Sequence, residues 1–141
     1  MPITTLRHVT LWAAQDWEKL SDMETLTWTN GIGQPEDRTP PELRARVRRW
    51  IYDNYTRKDG ESTARVMDPP AMGLLSQVTC PVLAIVGDLD TSGTRAAAGV
   101  IESSVQGARK VVFSNAAHLP NLEQPVEFNE TVRAFLDENS L

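Results

Sequence analysis

Cysteine is nearly absent from this 141-residue sequence: Cys80 stands alone, so no internal disulfide can form and a reducing compartment, the cytoplasm, is the expected location. Long apolar runs are missing too. None approaches the roughly 20 residues needed to span a bilayer, and Met1 to Leu11 lacks the apolar block of a secretory signal. No membrane partner is expected. Positive charge is not in excess, since 14 basic and 19 acidic residues leave a formal net charge of −5, which disfavours nucleic acid as a partner. There is no glycine-rich phosphate loop, and His8 has no aspartate or cysteine nearby at ligand spacing. No cofactor and no metal are therefore implied. Internal repeats and low-complexity stretches are absent as well.

What is present is an ordinary globular composition, 40% hydrophobic and 23% charged. A chain of this length buries roughly 68% of the surface its unfolded form exposes, enough for a core without crosslinks. It could form one domain or two small subdomains sharing a core.

The first half reads as helices. Leu11, Ala14, Trp17 and Leu20 recur at spacings of three, the stripe of an amphipathic helix that stops near Ser21. Ser21 and Glu24 form a possible capping box for a second short helix through Met23, Leu26 and Trp28. After a turn-rich loop from Asn30 to Arg38, Thr39, Pro40 and Glu42 signal a third start. Its apolar face is Leu43, Val47, Trp50, Ile51 and Tyr55, and Gly60 ends it. Arg44, Arg46, Arg48 and Arg49 spread around this helix and read as a solvated face, not an RNA- or phosphate-binding one. Trp12, Trp17, Trp28 and Trp50 read as core packing, with a substrate pocket as the alternative.

Composition shifts at Asp68-Pro69-Pro70. Past one helical turn at residues 72–75, the run from Pro81 to Val86 is continuously apolar and ends at Gly87, the pattern of a strand buried on both faces. Cys80, just before it, reads as an inert buried thiol. An alanine-rich helix over residues 94–105, a strand over 110–114 and a helix opened by Gln124-Pro125 follow. Strand, helix, strand, helix is the order of parallel strands joined by a crossover, the unit of α/β folds.

Two polar clusters follow those strands, Asp88-Leu89-Asp90 and Ala117-His118-Leu119-Pro120. Ligand and catalytic sites of such folds lie beyond the carboxyl ends of the strands. Parallel neighbours would bring both clusters to one edge, where a carboxylate fixes the tautomer of an imidazole and stabilises its charged form.

The stretch from Cys80 to Asp90 resembles the late strand and acid turn of α/β-hydrolases, and Ala116 to Phe128 resembles their catalytic-histidine loop and final helix. The likeness runs closely from Val78 to Leu136. It implies an incomplete α/β-hydrolase fold, with residues 1–76 as a helical lid and residues 77–141 as the C-terminal α/β part. It also implies His118 as general base and Asp90 as its orienting acid, with Asp88 supporting the turn.

The family's nucleophile elbow, Gly-x-Ser-x-Gly after a strand, has no counterpart in the sequence. The nearest string, Gly60 to Ala64, follows Asn54 to Asp59, which has no apolar run, so Ser62 is not read as a nucleophile. An early loop for an oxyanion hole is missing too. The expected function is thus part of an esterase or carbon-carbon bond hydrolase for a small apolar substrate, inactive alone. The alternative is a non-enzymatic relative acting as a dimerising or ligand-binding module. An open strand edge predicts a homo-oligomer.

Overall fold

The computed structural model describes residues 3–57 and 67–140, with side chains from Leu6 onward. The chain divides into two compact units, residues 1–61 and 62–141.

The first unit holds three helices: α1 (Ile3–Ala13), α2 (Trp17–Thr29) and α3 (Pro41–Thr56). The break between the first two lies at residues 14–16, and α2 runs straight through Ser21, where the sequence predicts a stop. Asp16 explains the difference. Its side chain accepts the Lys19 N–H at 3.2 Å and caps α2, while Gln15 turns the chain in the left-handed region at φ 52°. Ser21 is instead fully buried inside α2, followed at helical spacing by buried Thr25 and Thr29. The Thr25 and Thr29 hydroxyls bond back to the carbonyls four residues earlier, at 2.7 and 2.8 Å, which lets polar groups sit in the interior.

That stripe shares the interior with Leu20, Leu43 and Val47, and α2 packs on α3. The expected Thr39 cap of α3 does not form: α3 starts without a side-chain cap, and the Thr39 hydroxyl donates to Asn30 Oδ1 at 2.6 Å. Asn30 also donates to the Pro35 carbonyl at 2.6 Å. Buried polar bonding wins over the local capping signal because an unpaired buried donor is the costlier outcome. Gly60, expected to end α3, lies outside the described residues; the helix ends at Thr56.

Trp12, Trp17 and Tyr55 form an aromatic cluster with centroid separations of 5.2 to 5.5 Å. The arginines of α3 are engaged locally: Arg44 with the Thr39 carbonyl, Arg46 over the Trp50 ring, Arg48 with Glu18 and Asp22, Arg49 with Asp53.

The second unit opens with a 3-10 turn (Ala71–Gln77), followed by β1 (Leu83–Gly87), α4 (Ser92–Ser104), β2 (Arg109–Phe113), the short α5 (Pro120–Glu123) and α6 (Pro125–Glu138). The two strands are parallel, paired from Leu83 with Arg109 to Gly87 with Phe113. The strand-helix-strand-helix order is as the sequence predicts. Val86, Ala98, Val105, Phe113, Ala116 and Ala117 form the buried interior. Phe128 of α6 meets Phe113 at 6.2 Å.

The expectation of a strand buried on both faces holds only at its end. Val86 and Gly87 are buried, but Leu83, Ala84 and Ile85 are half-buried, and Val112 of β2 is half exposed. Among the described residues the sheet has two strands, which give each of these side chains one neighbour across it. Cys80 is exposed in the bend before β1, contrary to the buried thiol expected from its apolar surroundings in sequence.

Candidate functional site

Parallel pairing puts the loops after β1 and β2 at the same end of the sheet. The backbone then stitches them together. The Asp88 N–H donates to the Phe113 carbonyl at 3.0 Å, the Leu89 N–H to the Ala116 carbonyl at 2.9 Å, and the Asp90 N–H closes a turn on Gly87 at 3.3 Å. Gly87 is required by contact: a Cβ there would overlap the carbonyl oxygens of Ala116 and Ala117. Only a residue without a side chain lets the two loops approach this closely.

The approach delivers the expected pair. His118 Nδ1 lies 2.8 Å from Asp90 Oδ2. The Asp90 side chain is 3% exposed and that of His118 is 40% exposed, so the carboxylate is enclosed while an edge of the ring faces solvent. Asp90 Oδ1 accepts the Thr91 N–H at 2.6 Å, and Thr91 in turn caps α4 through Thr94. The carboxylate is therefore fixed at both oxygens. An ionised carboxylate only accepts, so Nδ1 donates to it, and in the neutral ring Nε2 is then the acceptor. This arrangement can take a proton at Nε2 and stabilise the imidazolium that results.

Asp88 is exposed, and its backbone N–H ties the turn to the last residue of β2. Ser62 lies outside the described residues; the chain before it is α3 as far as Thr56, not a strand. Among the described residues no group of three or more histidines, cysteines, aspartates or glutamates could hold a metal ion, and no helix is long and apolar enough to cross a membrane.

Sequence reasoning missed Glu123. Its carboxylate accepts the Ala117 N–H at 2.9 and 3.1 Å and the Leu119 N–H at 3.3 Å, the N–H groups of the residues before and after His118. Nothing in the local pattern points to it, because an acidic residue in a polar loop reads as solvated surface until the four-residue helix that carries it is seen. Gly87 was visible only as the punctuation that ends a strand.

No family model matches the chain, and no curated protein matches it. Solved structures do. Est816, an N-acyl homoserine lactone degrading enzyme, superposes with a TM-score of 0.64 at 21% identity, covering 96% of this chain and 52% of its own. A hydrolase from Pseudomonas aeruginosa PA01 gives 0.61 at 24% identity, covering 94% and 49%. The carboxylesterase CesB (YbfK) from Bacillus subtilis gives 0.58 at 20%, covering 96% and 46%.

This is an incomplete α/β-hydrolase fold. The chain spans about half the length of the hydrolases it matches. In this fold the paired Asp90 and His118 follow the two neighbouring parallel strands.

Proposed function

We propose that this chain contributes the acid and base of a hydrolase active site, with His118 as general base and Asp90 as its orienting carboxylate. The observation that carries this reading is the 2.8 Å bond between the enclosed Asp90 carboxylate and Nδ1 of a half-exposed His118. A buried acid bonded to Nδ1 leaves Nε2 as the ring nitrogen that can take the proton of a hydroxyl brought to it. No Gly-x-Ser-x-Gly occurs in the sequence, so the nucleophile and the oxyanion donors belong to another part of the fold and the chain is inactive without it. The substrate is a small apolar ester or a related carbonyl compound, and residues 1–76 serve as its lid. The esterase and the lactone-degrading enzyme among the fold neighbours support a carbonyl substrate.

The test is reconstitution. Short-chain nitrophenyl ester hydrolysis is measured for the chain alone, for a serine-bearing half of one of the fold neighbours alone, and for the two combined. Turnover is expected only in the mixture, reduced about 10⁴-fold by Asp90→Asn, the loss seen when a triad aspartate is neutralised. Restored turnover that survives His118→Ala refutes the assignment. Turnover by the chain alone that His118→Ala abolishes refutes its inactivity.

A second reading is a self-associating module. The two-stranded sheet has no further strand at either edge among the described residues, and Leu6, Val9 and Trp12 stand exposed along α1. Open edges and apolar stripes both favour association.

A further inference from the structure

We propose that Glu123 is a positioning residue for His118, acting as a clamp on the backbone that carries the imidazole; the inference rests on His118 being the base. Glu123 is held by the N–H groups of both chain neighbours of His118. The N–H before it, Ala117, donates to both oxygens of Glu123, and the N–H after it, Leu119, donates to Oε1. The clamp is reciprocal, because the Leu119 carbonyl accepts the Glu123 N–H at 2.9 Å and the Leu122 N–H at 2.8 Å. Residues 117 to 123 thus form a closed ring of bonds around His118.

The chemistry of the clamp suits its task. Ala117 is fully buried, so its N–H must find a protein partner, and an ionised acceptor makes the bond stronger than a neutral one. A single carboxylate bonded to the N–H groups of residues 117 and 119 restrains the stretch of backbone between them, which carries the His118 Cα. Asp90 fixes something different, the rotation of the ring. Both constraints are needed to aim Nε2, because catalytic geometry tolerates deviations of only about 0.5 Å and 10–20°. Gln124, the next residue, adds a bond from Nε2 to the Ser114 carbonyl at 2.8 Å, tying the far end of the loop to β2.

The experiment uses the full chain, isotopically labelled, without substrate or nucleophile. Three readouts are compared in the wild type, Glu123→Gln and Glu123→Ala: amide exchange at Ala117 and Leu119, the ring nitrogen shifts of His118, and the thermal melt. In Glu123→Ala both amides are expected to exchange at least about tenfold faster, as for loss of one net hydrogen bond. The His118 ring is expected to pass from one tautomer, protonated at Nδ1, to a mixture of both. Glu123→Gln, which keeps one carbonyl acceptor, should fall between, and it decides the matter if Glu123→Ala does not fold.

Faster amide exchange with unchanged His118 ring signals would make Glu123 a structural brace only and overturn the proposal. Unchanged exchange would overturn the clamp itself. Since neither readout needs turnover, a failed reconstitution of hydrolysis leaves this result standing, and the converse also holds.

Discussion

Replacing Gly87 with alanine perturbs the point where the two site loops touch. The added Cβ overlaps the carbonyl oxygens of Ala116 and Ala117, which are backbone atoms and cannot rotate away. The chain must therefore separate the loops, stretching the bond from the Leu89 N–H to the Ala116 carbonyl, now 2.9 Å, and the neighbouring one from Asp88 to Phe113, now 3.0 Å. Overpacking costs roughly 1–3 kcal/mol, and two weakened buried bonds add about 1 kcal/mol each. A total of about 3–5 kcal/mol is a large part of the roughly 5–15 kcal/mol that holds a domain together. At about 4 °C per kcal/mol for a domain of this size, the melting temperature falls by roughly 12–20 °C. Far-UV circular dichroism melts and urea titrations measure this. Gly99→Ala provides the control of opposite sign, because its Cβ would lie 3.9 Å from the flexible tip of Lys110. Mid-helix alanine gains about 0.5–1 kcal/mol over glycine. A Gly87→Ala variant melting within a degree or two of the wild type would refute the close approach, and with it the account of how Asp90 meets His118.

Two further outcomes are expected. Tyr55 ionises well above its ordinary range, because burial disfavours the phenolate and the hydroxyl donates to the Glu24 carboxylate at 2.7 Å. A raised folded-state value means the stabilisation is whole below the unfolded value near 10 and declines as the pH rises past it, since the unfolded chain ionises first. Absorbance titration should show a delayed phenolate signal that vanishes in Tyr55→Phe; a single ordinary tyrosine transition would contradict it. The open sheet edges and the exposed stripe of α1 predict dimers or larger species in light scattering at micromolar concentration, and a monodisperse monomer would count against self-association.

The second unit was largely legible in the sequence because its signals are redundant. The apolar run ending at Gly87, the alanine-rich helix and the run from Lys110 agree with one another, and one order of elements satisfies all three. The Asp90 and His118 pair follows from the parallel register. In the first unit the signals compete. A three-residue periodicity ran across the break at residues 14–16, since Trp17 and Leu20 continue on α2 the stripe that α1 begins. Ser21 and Thr39 looked like caps but serve a buried polar interior, which only tertiary packing defines. Glu123 was illegible for another reason: its partners are backbone N–H groups, which every residue has and no sequence pattern marks.

The bonds joining the two site loops run between residues 87 and 124, a contiguous stretch of the second unit. The acid reaches the base through β1, α4 and β2, and the base is seated by the helix that immediately follows it. Closing such a loop of some 30 residues costs only a logarithmic entropy term, and buried backbone bonds along the strands offset it. On the reading proposed above, the pair of Asp90 and His118 takes its shape without a nucleophile, which has to be brought to a geometry already set. Reaction on that reading depends on where a hydroxyl is held relative to Nε2, so the geometry for proton transfer and the choice of what is attacked would lie in different parts of the fold.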